Sequence, residues 1–114
     1  MSAITTHVLD ISRGRPASGV PVLLEIESAD GSWKQIGAGT TDADGRAKDL
    51  LPPNFALHGG VYKLTFDTAS YFAPQNIESF YREVSVVFEI RDPAQHYHVP
   101  LLLSPFAYST YRGS

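Results

Sequence analysis

The sequence predicts an all-β domain, an antiparallel β-sandwich, and three observations predict it. Short segments such as Val20–Ser28 and Val84–Ile90 alternate apolar and polar side chains with period two. Turns rich in glycine, aspartate and proline fall between them, as at Ala29-Asp30-Gly31 and Asp42-Ala43-Asp44-Gly45. Helical signals are confined to one short stretch after Asp67. At 114 residues the chain is a single domain, residues 1–114, able to bury about two-thirds of its unfolded surface in one core.

Ile4–Asp10 is the first strand, with Ile4, Thr6 and Val8 on one face and Thr5, His7 and Leu9 on the other. Ser12–Gly19, which carries Arg13 and Arg15, reads as a solvated, turn-rich loop. Val20–Ser28 is a second strand, pointing Val22, Leu24 and Ile26 inward and Glu25 and Glu27 outward. Ala29-Asp30-Gly31 turns the chain into a third strand, Ser32–Thr40. Gly37 and Gly39 on one face of it point to a bulge or a close backbone approach. Asp42–Gly45 is another tight turn, without the ligand spacing or closing glutamate of a calcium loop. Arg46 opens the short strand that follows.

Leu51–Asn54 and His58–Gly60 bracket an irregular connection, and Val61–Asp67 then resumes alternation with Tyr62, Leu64 and Phe66 opposite Lys63 and Thr65. Asp67 or Thr68 caps a short helix through Phe72, which Pro74 and Asn76 end. Val84, Val86, Phe88 and Ile90 form the inner face of a further strand. Arg91-Asp92-Pro93 leads into His96–Leu103, and after the break at Ser104-Pro105 the segment Tyr108–Arg112 has strand composition again. In His96–Leu103 the residues Val99, Leu101 and Leu103 share one face; His96, His98, Pro100 and Leu102 share the other. Such a strand is expected to be buried twice, against the domain's core and against a partner surface or a site. That expectation predicts a homo-oligomer.

Composition narrows the function classes. Hydrophobic content of 43% with 18% charged residues excludes a disordered chain. A net charge of -3 with scattered arginines offers no nucleic-acid surface. The absence of cysteine removes disulfides, thiolate catalysis and cysteine-based zinc sites. No apolar run approaches the roughly 20 residues that span a bilayer, so no membrane partner is expected. Met1–Ile4 leads into strand-like sequence without the features of a signal peptide, and the expected location is cytoplasmic.

The candidate chemistry is carried by histidine and arginine. His7, His96 and His98 lie on strand faces that are not the simple core face, whereas His58 sits in a glycine-rich loop and reads as solvated. For any one of the three, a hydrogen-bonded structural or interface role is the commoner case; together, with Arg46 and Arg112 as neighbours, they point to a site. Two chemistries fit. His96 and His98 have the spacing that points two imidazoles the same way, half of a zinc site that His7 would extend, although no carboxylate is marked to orient them. The other is metal-free hydrolysis. A histidine titrating near neutrality activates water for about 10²–10⁴-fold, and Arg46 supplies a planar cation to a developing oxyanion.

Three stretches carry a resemblance: ITTHVLD at Ile4–Asp10, TDADGR at Thr41–Arg46, and HYHVPLLLSP with YSTYRGS between His96 and Ser114. They resemble the signature blocks of the 5-hydroxyisourate hydrolases, the enzymatic relatives of transthyretin, and the closing YRGS is the most specific. The resemblance runs from Ile4 to Ser114 and departs at Arg82, where the family usually shows a proline before the next strand. It implies a transthyretin-like sandwich of two four-stranded sheets with one short helix, assembled as a homotetramer with sites at subunit contacts. It implies catalysis by His7, Arg46, His98 and Ser114, with Tyr111, Arg112 and Gly113 binding substrate, and neither metal nor cofactor. His96 is then a neighbour of the site, and Ser114 orients substrate or water rather than attacking.

The implied reaction belongs to urate (purine) degradation. Water adds to the C6 carbonyl of 5-hydroxyisourate and the N1–C6 bond breaks, giving 2-oxo-4-hydroxy-4-carboxy-5-ureidoimidazoline. His7 and His98 handle the protons of water and leaving group; Arg46 and the tail hold the ring and its negative charge. The alternative is a transthyretin-like carrier that binds a small hydrophobic ligand in the tetramer channel. The polar His7, Arg46 and His98 count against an apolar channel.

Overall fold

Two sheets face each other across one apolar core in the computed structural model, which describes residues 3–114. In chain order the strands are β1 (Ile4–Asp10), β2 (Arg15–Pro16), β3 (Pro21–Glu27), β4 (Trp33–Thr40), β5 (Arg46–Ala47), β6 (Gly60–Phe66), β7 (Val84–Ile90), β8 (Tyr97–Leu103) and β9 (Tyr108–Thr110). A short helix, α1 (Thr68–Phe72), lies between β6 and β7. One sheet runs β4-β3-β6-β7 and is antiparallel throughout. In the other, β8 separates β1 from β9, and the far side of β1 is shared by two short strands. There β2 pairs with Leu9 and Asp10, and β5 with Thr6 and His7. This sheet therefore has five strands in four lanes, the outer lane being broken in two.

The sandwich is as the sequence predicts, with one correction to its direction. β1 and β8 pair in parallel, from Ile4 opposite Tyr97 to Asp10 opposite Leu103. Parallel neighbours cannot be joined by a hairpin, and here the whole of residues 11–96 lies between them. No local turn signal marks such a pair.

The alternation read from the sequence becomes burial. Tyr62, Leu64 and Phe66 from β6, Val22 and Leu24 from β3, Ile4 and Val8 from β1, and Leu101 and Leu103 from β8 all enter the core. Thr6 points inward with Ile4 and Val8, and its hydroxyl donates to the Val99 carbonyl at 2.5 Å. A polar group on the core face is thereby satisfied. On β4 the register shifts: Leu24 faces Gly37 while Glu25 faces Gln35, leaving Ile36 as the extra residue of a bulge. At Gly37 a Cβ would stand 1.7 Å from the Leu50 carbonyl oxygen, so only glycine fits this approach.

Asp67 caps α1, its carboxylate accepting from the Ser70 amide at 3.2 Å and the Ser70 hydroxyl at 2.7 Å. A 3₁₀ turn (Ala73–Gln75) follows and ends at Asn76 in the left-handed region, φ 56°. The helix is tied to the end of β1 through Asp10, which is fully buried. Its Oδ1 accepts from the Ser12 amide, the Ser12 hydroxyl and the Arg13 amide, and its Oδ2 accepts from the Tyr71 hydroxyl at 2.7 Å. Burial, reinforced by this hydrogen bond and the Asp10 charge, pushes the Tyr71 phenol up from its ordinary value. Tyr71→Phe leaves Oδ2 of a buried carboxylate without a donor. The expected loss of stability is about 1–3 kcal/mol, read from denaturant midpoints, with turnover at saturating substrate nearly unchanged. Among the described residues no helix is long and apolar enough to cross a membrane.

Candidate active site

The register of the β1 sheet brings distant parts of the chain together. The parallel pairing sets Thr5 beside His98 and His7 beside Pro100, and the antiparallel pairing with β5 sets His7 beside Arg46. Arg46 is delivered there by the turn before it. Asp42 Oδ1 accepts from the amides of Asp44 (2.9 Å) and Arg46 (3.0 Å), and Gly45 occupies the left-handed region at φ 78°. A Cβ on Gly45 would lie 2.4 Å from the Val8 carbonyl oxygen, so the turn docks on β1 only with glycine. The Arg46 amide bond is the main influence that holds the Asp42 carboxyl below its ordinary value.

His98 is the centre of the arrangement. Its Nδ1 lies 2.8 Å from Thr5 Oγ1, and the same hydroxyl is 3.4 Å from His96 Nε2. A recess of about 190 Å³ opens beside it, lined by Arg46, Lys48, His96, His98, Ser114 and the Thr5-Thr6 segment. Among the described residues no group of three or more histidine, aspartate or glutamate side chains is disposed to hold a metal ion. The imidazoles of His96 and His98 instead converge on one hydroxyl.

Desolvation lowers the His98 pKa below the ordinary value of 6.5, and the charge of Arg46, then His7 and His96, lowers it further; a hydrogen bond with the Thr5 backbone opposes them. His98 is therefore neutral, and able to accept a proton, to lower pH than an ordinary histidine. The acid limb of kcat/KM against pH is expected below 6.5. A limb at or above that value would contradict a base role for His98. The same shift makes stability depend on pH. Below 6.5 the unfolded chain binds the proton before the native state does. His98 thus costs the fold stability as pH falls from there toward its native pKa.

The tail closes one side of His98. The Gly113 amide donates to the His98 carbonyl at 2.8 Å. A Cβ on Gly113 would stand 2.7 Å from His98 Cδ2 and 3.2 Å from Pro100 Cγ. Glycine lets the backbone come this close to the imidazole, and Ser114 after it lines the recess. Tyr111 and Arg112 sit on the other side of the tail, in an apolar recess of about 160 Å³ that also includes Val86, Phe88, Tyr97 and part of His98. There Arg112 Nη2 donates to Gln95 Oε1 at 2.7 Å, and the guanidinium lies 4.7 Å from the centre of the Tyr97 ring. His98 thus stands between two recesses.

Of the residues singled out from sequence, the structure places Arg46, His98 and Ser114 in one recess with Gly113 packed on His98. His7 lies beside Arg46 in the sheet, and its charge bears on His98. Tyr111 and Arg112 are near His98 but face the apolar side. His58 lies elsewhere: its amide and carbonyl both bond the Tyr62 hydroxyl, and its ring packs edge-on to Phe55. Sequence reasoning missed Thr5 and Lys48. Thr5 shares a face with His7, which was a usable signal, but its neighbour His98 comes from the far end of the chain. Lys48 is two residues beyond Arg46, the spacing that returns a side chain to the same side of an extended chain.

A model of the HIUase/Transthyretin family matches residues 4–113. The chain is 52% identical over 113 residues to a probable 5-hydroxyisourate hydrolase of Caenorhabditis elegans, covering 99% of this chain and 82% of that protein. The structure of Klebsiella pneumoniae 5-hydroxyisourate hydrolase superposes with a TM-score of 0.83 at 38% identity, covering 97% of this chain and 98% of that one. Sea bream transthyretin in complex with thyroxine superposes with a TM-score of 0.89 at 36% identity, covering 98% and 95%. Both structures share the sandwich, so the fold alone does not separate a hydrolase from a carrier.

Proposed function

Because the chain belongs to the HIUase/Transthyretin family, we propose that it hydrolyses 5-hydroxyisourate in urate degradation, at the recess beside His98. The observation that carries this reading is the setting of His98, a neutral imidazole fixed by Thr5 in one recess with Arg46. Relatives named for this hydrolysis match nearly the whole chain. In the proposed mechanism His98 takes a proton from water, which attacks the C6 carbonyl. Arg46 stabilises the tetrahedral oxyanion. As it collapses the N1–C6 bond breaks, N1 receives a proton from the histidinium, and C6 stays on the imidazoline ring as a carboxylic acid that releases its proton to solvent. His7, beside Arg46, assists the proton transfer to the leaving nitrogen, and Ser114 orients water or ring. Gly113 shapes the recess; Arg112 supports substrate binding by holding the tail through Tyr97 and Gln95, and Tyr111 does so from the neighbouring apolar recess.

The proposed assembly is a homotetramer with these sites at subunit contacts. β7 and β9 end their sheets with open edges, and Phe80 (71% exposed), Phe106 (62%), Tyr111 (58%) and Val87 (57%) expose apolar surface. Open edges and large exposed apolar side chains favour a protein partner. Sedimentation at micromolar concentration should give a tetramer; a monomer would contradict it. The cytoplasm is the proposed location of a chain with no cysteine to oxidise. No metal or cofactor takes part in this mechanism, so prolonged dialysis against a chelator should leave turnover unchanged, and loss that zinc restores would overturn this.

The carrier reading draws on the likeness to transthyretin bound to thyroxine. It is disfavoured by a recess lined with Arg46, Lys48 and His98 where a hydrophobic ligand needs an apolar wall. The chemical test is product identification. With protein in catalytic amount, carbon NMR should show the former C6 carbonyl becoming a carboxylate well ahead of the buffer control. Unchanged substrate bound one to one would support the carrier.

A further inference from the structure

We infer that Thr5 is a positioning residue whose hydroxyl fixes the His98 imidazole with its proton on Nδ1, so that Nε2 presents a bare lone pair to the reaction. The inference rests on the hydrolytic reading for its catalytic meaning, but the tautomer itself is measurable without substrate. Thr5 is buried, 5% exposed, and the parallel register of β1 and β8 sets it directly beside His98. A threonine side chain is stiff at χ1, and its neighbour Thr6 is pinned to Val99. The hydroxyl is thus presented in a fixed direction. On its other side the ring is flanked by Gly113 and Pro100, close enough that a methyl group on Gly113 would strike it. A ring held in this way cannot exchange one nitrogen for the other.

A hydroxyl has one proton to give and can also accept. Thr5 Oγ1 has two imidazole nitrogens in reach, His98 Nδ1 at 2.8 Å and His96 Nε2 at 3.4 Å. Two orders relay a proton through the hydroxyl. In one, His98 Nδ1–H donates to Thr5 and Thr5 donates to His96 Nε2. In the other, both donations run backwards and His98 carries its proton on Nε2. Thr5 Oγ1 occupies Nδ1, so Nε2 is the nitrogen left to meet water, and the base role in the proposed mechanism requires the first order. With Nδ1 protonated, His98 can take a proton from water at Nε2. With the opposite tautomer it would enter the reaction as an acid. Thr5 therefore decides which role His98 plays, in a field that also contains Arg46, Lys48, His7 and His96. This is the function of an orienting group behind a general base.

The test is ¹⁵N NMR of the imidazoles in the intact protein, above the titration of His98, with the His98 signals assigned from a His98→Gln sample. The expected spectrum has a protonated Nδ1 and an unprotonated Nε2. Thr5→Val, which keeps the volume and removes the hydroxyl, should move His98 toward the Nε2–H form. It should also lower kcat by about ten- to hundredfold with little change in KM. Thr5→Ser should restore both the tautomer and the rate, which a role in strand packing alone would not require. An unprotonated Nδ1 in the wild type, or an unchanged tautomer in Thr5→Val, would overturn the inference. If the expected tautomers are seen but the wild type does not hydrolyse 5-hydroxyisourate, the positioning stands and the hydrolytic reading falls. Should Thr5→Val fail to fold, the wild-type spectrum still decides the tautomer.

Discussion

His98→Gln is expected to lower turnover by about 10²–10⁴-fold, the range of a positioned general base. Glutamine retains polarity and roughly the reach of the imidazole, so Thr5 keeps a partner and the strand keeps its register. What is lost is a group that can take up a proton at neutral pH. His98 lies half-buried beside the core rather than within it, flanked by the buried Tyr97 and Val99. The melting temperature should therefore move little while the rate collapses. The comparison of the two readouts is the point of the experiment: parallel loss of stability and activity would make His98 a structural histidine. His7→Gln and Arg46→Gln should lower the rate as well, by factors of roughly 10²–10³, because each is asked for work in the transition state.

Gly113→Ala is expected to have the next largest effect, about 10²-fold, the scale associated with displacing a reacting group by about an ångström. The added Cβ would be 2.7 Å from His98 Cδ2, and the ring cannot retreat freely because its far side is bonded to Thr5. Either the imidazole tilts, breaking its bond to Thr5, or the tail lifts and takes Ser114 out of the recess. Both outcomes spoil the site, and neither touches the core. A melting curve close to wild type with a depressed kcat is the expected pair of results. Full turnover would show that the tail's approach to His98 is incidental, and the site would reduce to His7, Arg46 and His98.

The fold was legible where the physics is local. Alternation in Val61–Asp67 became the inward row Tyr62, Leu64 and Phe66, and of the two cap candidates, Asp67 and Thr68, it is Asp67 that caps α1. Gly37 proved to mark both a bulge on β4 and a close approach by Leu50. What stayed hidden is non-local. The parallel pairing of β1 with β8 leaves no turn signature, yet it sets Thr5 beside His98 and so fixes that imidazole. The division of the tail was hidden as well. Strict alternation predicts a side for each residue only while the strand lasts, and β9 ends at Thr110, before Tyr111 and Arg112 turn to the apolar recess. The histidine and arginine types announced a site; their mutual geometry came from pairings that one sequence does not display.

Turnover is read most directly from the loss of 5-hydroxyisourate absorbance as protein concentration is raised from zero, in buffer freed of metal ions. Hydrolysis at the His98 recess should give an initial rate proportional to protein, many substrate molecules consumed per subunit, and a decay well ahead of the spontaneous one. Loss no faster than in buffer alone, or consumption that stops at one substrate per subunit, would contradict it.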